Sequence, residues 1–156
     1  GNIVTGIAGK KDFTVIFIEK SLMNSQIGFV RKVLSVLENA GVPVEHIPSG
    51  IDTMSVVVES SALKNGKLEL VLQGIKEAVA PDTLSVTEDI ALIATVCHGM
   101  SSSVGTSARL FKAMAEAKIN VKMIDQGSSE LNIIVGVQND ECEKCIRAIY
   151  REFFGN

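Results

Sequence analysis

Two hydrophobic periods alternate along the chain. Residues 13–18 form a short run of apolar and β-branched side chains, which is typical of a buried strand. Residues 27–40 instead place Val33 and Leu37 at helical spacing within an apolar stripe, and Gly41 follows as a stop. The pattern therefore predicts a strand followed by an amphipathic helix.

The same patterns continue in the segments that follow. Strands are predicted at residues 44–47, 54–58 and 83–87, and a second helix is predicted at residues 67–80. Pro48 and Gly50 mark a turn between the first two of these strands. The element order is βαββαβ, the ferredoxin-like arrangement in which an antiparallel sheet carries two helices on one face.

The chain also matches itself at a constant offset of 77 positions. Met23 falls on Met100 and Gly28 falls on Gly105, and apolar character is kept between such pairs. A repeat of this length that occurs twice indicates two duplicated small domains. The second copy is predicted at residues 90–96, 103–117, 121–124, 131–137 and 142–153.

The second copy ends before its last strand, whereas residues 3–8 form a strand-like segment that the first copy does not need. Because a missing strand would leave a sheet edge unprotected, we expect the N-terminal segment to complete the second sheet. The predicted fold class is α+β, with two ferredoxin-like βαββαβ units of which the first is inserted into the second. The predicted boundaries are 10–88 for the first domain and 89–156 plus 2–9 for the second.

Composition and charge exclude several classes of function. The chain has 156 residues, of which 46% are hydrophobic and 21% are charged, so it can bury a core. Lys and Arg number 15 against 18 Asp and Glu, and this net charge of -3 lacks the basic excess that nucleic-acid binding requires. No apolar run approaches the roughly 20 residues of a membrane span. We therefore expect neither a nucleic-acid partner nor a membrane partner.

The cysteines indicate the cellular compartment of the protein, and they do not indicate a metal or redox site. Cys97, Cys142 and Cys145 are too few and odd in number for a disulfide scaffold, so a reducing cytoplasm is expected. Cys142 and Cys145 form a C-x-x-C pair, but their helical spacing with Ile149 favours core thiols over half of a zinc site. No metal, cofactor or catalytic residue is expected. The first residue, Gly1 and not Met, suggests an excised fragment that lacks a partner domain.

The loops before the first helix of each copy are the candidate binding sites. Residues 21–28 and 98–105 each connect a strand to a helix. Unpaired N–H groups at a helix start favour an anion such as the carboxylate of an amino acid. The Asn and Ser side chains of these loops could equally serve only as helix caps.

The duplicated units resemble the paired ACT domains at the C-terminus of aspartokinase. The resemblance rests on residues 44–52, Val-Glu-His-Ile-Pro-Ser-Gly-Ile-Asp, and more specifically on residues 121–133, where Gln-Gly-Ser-Ser-Glu is followed by Leu, Asn and Ile. It covers nearly the whole chain, but the Lys-Phe-Gly-Gly type of motif of the kinase half is absent from the sequence. The resemblance implies a regulatory, non-catalytic region that binds an end-product amino acid for feedback inhibition. It also implies two partners, an aspartokinase catalytic domain and a second copy in a homodimer.

In ACT domains small effectors bind at the loop before the first helix, against the facing strand. The resemblance thus implies an effector site formed by Met23, Ser25, Gln26, Gly28, Phe29, Val30, Val44, Glu45, Ser49, Gly50 and Asp52. Glu45 and Asp52 would pair with an ammonium group, although without the resemblance they are equally well explained as solvated surface charges. Lysine is therefore the expected effector. Threonine is the alternative, because the hydroxyl and amide groups of the site could bind it.

The equivalent loop of the second copy is expected to be the weaker site, because Lys122 stands where the first copy has Glu45. A dimer-facing surface is its favoured role. Its residues are Ser101, Ser102, Ser103, Val104, Gln126, Ser128, Ser129 and Glu130.

Two other functions fit a ferredoxin-like scaffold less well. A small hydrolase of acylphosphatase type would need an Arg in a phosphate-cradling loop, and both loops lack Arg and Lys. An RNA-recognition-motif sheet would expose aromatic side chains, but residues 56–58 and 133–135 are all aliphatic.

Overall fold

The computed structural model describes residues 4–98, 105–126 and 132–155. The elements, in chain order, are β1 (Val4–Glu19), α1 (Phe29–Asn39), β2 (Ser49–Gly50), β3 (Thr53–Glu59), α2 (Lys67–Val79), β4 (Thr83–Cys97), α3 (Thr106–Glu116), β5 (Met123–Gln126), β6 (Asn132–Gln138) and α4 (Cys142–Phe154). Short 3-10 turns at Met23–Ser25, Ser60–Leu63 and Asn139–Glu141 precede α1, α2 and α4. No helix within the described ranges is long and apolar enough to cross a membrane.

The chain forms two compact units. The insert is Asp12–Asp89, and the host unit is Gly1–Lys11 together with Ile90–Asn156. The strand order is β2-β3-β1-β4 in the insert and β1-β4-β6-β5 in the host unit. Each unit therefore has the ferredoxin-like arrangement, with one inserted into the other, which confirms the predicted fold class.

The strands β1 and β4 each contribute one part to each unit. The hydrophobic pattern predicted four short strands here, and the structure has two long ones. β1 passes from host unit to insert at Asp12, whose φ is 72°, and β4 passes back at Asp89, whose φ is 58°. Aspartate tolerates this left-handed backbone better than most residues do. A polar residue at each crossing interrupts the apolar pattern without ending the strand.

The edge of the insert differs from the prediction of a strand at residues 44–47. The backbone N–H groups of Glu45 and His46 both donate to the carbonyl oxygen of Val57, at 2.8 and 3.4 Å. Two residues thus oppose one, as in a β-bulge, and Pro48 then has no N–H to donate. Residues 44–47 run alongside β3 without forming a regular ladder. The strand β2 begins only after Pro48.

The core of the insert lies where its sheet meets α1 and α2. The antiparallel register of β1 and β3 places Ile16 opposite Val56 and Ile18 opposite Met54, and all four side chains are buried. The helices contribute buried Phe29, Val33, Leu37, Val71, Ile75 and Val79 to the same cluster.

The N-terminal strand belongs to the core of the host unit. Val4 is 1% exposed and lies in one buried cluster with Ala91 and Ile93. The Thr5 hydroxyl donates to the Val96 carbonyl oxygen at 3.4 Å. The expectation that the start of the chain completes the second sheet is confirmed.

Trimming one buried valine in each unit should destabilise that unit selectively. We expect Val4→Ala to lower the free energy of unfolding by about 2 kcal/mol, because two buried methyl groups are lost and a cavity remains. Amide hydrogen exchange should accelerate mainly in β6 of the host unit. The matched variant Val56→Ala should accelerate exchange mainly in β1 of the insert. Equal acceleration in both units by Val4→Ala would contradict the assignment of the N-terminal strand.

Candidate functional site

The loop between β1 and α1, residues 20–28, is built from the insert core outward. Met23 is buried in that core and anchors the 3-10 turn. Leu22 precedes the turn with a left-handed φ of 61°, and its carbonyl oxygen accepts both the backbone N–H and the hydroxyl of Ser25, at 3.1 and 2.8 Å. The backbone N–H of Gln26 donates to the Met23 carbonyl oxygen at 3.1 Å. We call this segment the α1 loop.

Two aspartates from other parts of the insert hold the α1 loop. The backbone N–H of Met23 donates to Asp52 Oδ1 at 3.0 Å, and that of Ser21 donates to Asp82 Oδ2 at 2.7 Å. The bond from Ser21 lowers the pKa of the Asp82 carboxyl, and nearby Lys20 lowers it further. The start of the loop is therefore tied to both the β2–β3 turn and the α2–β4 junction.

A pocket of about 230 Å³ lies at the point where the α1 loop enters α1. Gly28 stands before the helix with a left-handed φ of 78°, and no described side chain caps the helix start. The first-turn N–H groups of such a helix favour an anion. The pocket is lined by Met23, Asn24, Gln26, Gly28, Phe29, Val30 and Arg31.

Arg31 adds a cation to this pocket. A Cβ on Gly28 would lie 3.7 Å from both Nε and Nη2 of Arg31, so the guanidinium lies over the glycine at the helix start. A cation at a helix N-terminus is unfavourable by itself, but it suits a carboxylate that binds there. The sequence prediction missed Arg31 and Asn24. The signal was visible, because an arginine in the first turn of a helix departs from the usual charge bias.

The structure brings together only part of the predicted site. The pocket includes Met23, Gln26, Gly28, Phe29 and Val30, whereas the Ser25 hydroxyl is used within the loop.

The facing segment contributes backbone contacts and exposed side chains. Val44 lines a separate groove near Pro43 and Ile47, and Glu45 is exposed. The Ser49 hydroxyl donates to the Ile47 carbonyl oxygen at 3.2 Å. A Cβ on Gly50 would lie 2.7 Å from Thr53 Oγ1, so a side chain there would displace that hydroxyl. Asp52 of this segment joins the α1 loop directly, through its bond from the Met23 N–H.

The second predicted loop falls mostly outside the described residues. Ser101, Ser102, Ser103, Val104, Ser128, Ser129 and Glu130 lie there. Gln126 is exposed at the end of β5, and Lys122 is exposed with its backbone N–H donating to the Gly136 carbonyl oxygen at 2.7 Å.

Exposed aliphatic side chains flank the contact between the α1 loop and the β2–β3 turn. Leu22 is 71% exposed, Ile27 is 97% exposed and Ile51 is 84% exposed, and Val30 at the helix start is also exposed. We call these four residues the apolar rim. Exposed apolar side chains are one feature of protein interaction sites.

The three thiols lie in the core of the host unit, as predicted for Cys142 and Cys145. Burial raises the pKa of the Cys145 thiol to about 12 and also raises the pKa values of Cys97 and Cys142. Within residues 4–98, 105–126 and 132–155, no group of three or more His, Cys, Asp or Glu side chains could hold a metal ion.

Comparison with known proteins relates the chain to one enzyme family. The ACT domain family matches residues 93–153. Aspartokinase 3 of Bacillus subtilis (strain 168) is 42% identical over 151 residues, which cover 97% of this chain and 33% of that protein. The chain thus spans about a third or less of the length of the curated relatives that it matches.

Solved structures extend the likeness to nearly the whole chain. Clostridium acetobutylicum aspartate kinase has a TM-score of 0.90 at 48% identity, over 96% of this chain and 34% of that one. The regulatory subunit of Thermus thermophilus aspartate kinase has a TM-score of 0.77 at 26% identity, over 97% of this chain and 99% of that one. E. coli aspartokinase III in complex with lysine and aspartate shares the fold, with a TM-score of 0.76 at 19% identity over 98% of this chain and 34% of that one.

The raised thiol pKa values predict slow chemistry at all three cysteines. At pH 8 we expect the folded protein to react with a disulfide reagent slower than the urea-unfolded chain by on the order of 100-fold, since the thiolate is the reactive form. Because the pKa of Cys145 is higher when folded, its contribution to stability is complete below the ordinary thiol value of about 8.5 and is lost as pH rises toward 12. Rapid labelling of Cys145 in the folded protein would show that the helix α4 face is open.

Proposed function

The chain corresponds along nearly its whole length to the ACT-domain regulatory region of aspartokinases, and from this we propose that its insert binds an end-product amino acid for feedback control of a catalytic domain. The chain is regulatory and not catalytic. The observation that carries the proposal is the pocket at the start of α1, which combines uncapped helix N–H groups with the guanidinium of Arg31.

The size and charge of this pocket suit a single amino acid. Its volume of about 230 Å³ lies below the roughly 300 to 1,000 Å³ that is usual for drug-sized ligands. The helix start and Arg31 favour a carboxylate at one end. Met23 and Phe29, which are almost wholly buried, supply apolar lining to the pocket.

Lysine is the effector that we favour. Glu45 supplies an exposed carboxylate on the segment that follows α1, and such a group would pair with an ε-ammonium. The lysine bound by the E. coli enzyme of similar fold supports the same choice. Threonine is the alternative effector, with Gln26 and Ser49 as its polar partners. The equivalent loop of the host unit, where Lys122 replaces Glu45, is the weaker site.

Binding would act by shifting a population. A ligand changes an equilibrium between two arrangements only by the difference in its affinity for them, and its effect on a distant site is that coupling free energy. We propose that the two arrangements are those of an assembly with the catalytic domain. We also propose a cytoplasmic location, where the three free thiols stay reduced. For the two ACT domains we propose the predicted boundaries of 10–88 and of 89–156 plus 2–9, which differ by one or two residues from the ends of the two compact units.

The assembly that we propose is a homodimer. Leu22 and Ile51 of the apolar rim adjoin Met23 and Asp52 along the chain, and all four residues of the rim are too exposed to belong to the insert core. Covering it with a second copy would remove apolar surface from water beside the effector pocket.

Calorimetry with two variants tests the effector site. Arg31→Gln should weaken the binding of lysine and threonine alike, because it removes a partner of the common carboxylate. Glu45→Gln should weaken lysine binding by about 10- to 100-fold, the range of a lost charge-assisted hydrogen bond, and should affect threonine less. Glu88→Gln, which makes the same charge change on an exposed residue of β4, is the matched control.

Three outcomes would contradict this site. If calorimetry detects no binding of lysine, threonine or methionine at millimolar concentration, the proposed function is wrong. If threonine binds more tightly than lysine, threonine and not lysine is the effector. Unchanged lysine affinity in Glu45→Gln would show that the ammonium group binds elsewhere.

Sedimentation equilibrium tests the homodimer. We expect a dimer at micromolar concentration and a weakening of on the order of 10-fold or more in Ile27→Glu, because the charge would be buried against apolar surface. Leu70→Glu, at another exposed aliphatic residue, is the control for a general change in solubility. A monomer at high micromolar concentration would refute the dimer.

A further inference from the structure

Asp52 joins the β2–β3 turn to the α1 loop by accepting two hydrogen bonds from backbone N–H groups. Its backbone carbonyl oxygen accepts the N–H of Lys20 at 3.0 Å, and its Oδ1 accepts the N–H of Met23 at 3.0 Å. The ladder of β1 and β3 ends at the pair of Glu19 and Thr53. Asp52 therefore extends the ladder by one residue and then holds the loop three residues further on.

The backbone of Asp52 is shaped for this contact. Its φ of 59° lies in the left-handed region, where Gly, Asn and Asp are the residues tolerated best. The side chain is only partly exposed, so water competes less for Oδ1 than it would at an open surface. The bond requires an acceptor oxygen at this place, which either a carboxylate or a side-chain amide provides.

Met23, whose backbone N–H donates to Asp52, is central to the candidate pocket. Met23 both lines the pocket and packs into the insert core, and its carbonyl oxygen accepts the Gln26 N–H. Fixing the Met23 backbone therefore fixes the wall of the pocket formed by the 3-10 turn. A loop that is already ordered costs less conformational entropy when a ligand binds.

We infer that Asp52 is a positioning residue that orders the α1 loop through the Met23 N–H, and that it is not the partner of the effector's ammonium group. This assignment rests on the proposed function only for its effect on affinity. It leaves Glu45 as the acidic partner of the ligand and makes the oxygen of the Asp52 side chain, and not its charge, the required feature.

Two variants distinguish the effect of the Asp52 acceptor oxygen from the effect of its negative charge. Asp52→Asn keeps an acceptor oxygen and tolerates a left-handed φ, but it is neutral. Asp52→Gly also suits the left-handed φ and keeps the carbonyl contact to Lys20, but it has no side-chain acceptor. Asp89→Gly makes the same change at another left-handed aspartate, outside the α1 loop, and is the matched control.

The first readout needs no ligand. In the chain without added amino acid, hydrogen exchange at the Met23 amide should remain slow in Asp52→Asn and in Asp89→Gly. In Asp52→Gly it should accelerate by about 10-fold or more, because its acceptor is lost. The Gln26 amide, whose acceptor lies within the loop, should change less. Equal exchange at Met23 in the unmodified chain and in Asp52→Gly would overturn the inference.

The second readout is calorimetry with lysine and threonine. Asp52→Asn should bind lysine within about 3-fold of the unmodified chain, and Asp52→Gly should bind both amino acids about 10-fold or more weakly. If Asp52 were the ammonium partner, Asp52→Asn would instead lose lysine affinity selectively, which would overturn the inference. If no variant binds any amino acid, the proposed function fails, and exchange at the Met23 amide still decides the role of Asp52.

Discussion

The pairing of β1 with β4 is the constraint on which the rest of the structure depends. Each unit takes one inner and one outer strand from this pair, because β1 is inner in the insert and outer in the host unit while β4 is the reverse, so neither sheet is complete without it. The Thr5 and Val96 contact marks its host-unit end. At its other end the backbone N–H of Asp82 donates to the Glu19 carbonyl oxygen at 2.8 Å. That last contact brings the Asp82 carboxylate to the start of the α1 loop, so the strand pairing also positions the candidate site.

The site is assembled from loop backbone and not from a rigid set of side chains. Met23 anchors the loop in the core, two carboxylates hold its first N–H groups, and a glycine with left-handed φ starts the helix. Each of these contacts lies within the insert, so the order of the loop does not require a ligand. If an amino acid binds as proposed, its binding free energy is available for discrimination and coupling instead of for ordering the loop.

The sequence was a good guide wherever the controlling interactions are local. Helical spacing located α2 and α4 to within a residue at each end, and the 77-residue offset revealed the duplication and the insertion. The pattern failed where distant hydrogen bonds decide the structure. The bulge at Glu45 and His46 depends on Val57, and the bond that holds the α1 loop joins residues 29 positions apart. Periodicity records which face is apolar, but it carries no information about such pairings.

Arg31 lies in an electrostatically unfavourable position, and this position is the basis of the role proposed for it. Its guanidinium lies at the positive end of α1, where the helix dipole opposes it, and it remains exposed. A bound carboxylate would resolve this conflict, because it accepts from the helix N–H groups and neutralises the guanidinium at once. The same conflict makes the pocket a poor site for a bare cation. Under the proposed function, an effector with two ammonium groups would therefore bind with its carboxylate at the start of α1 and its side-chain ammonium group directed away from Arg31.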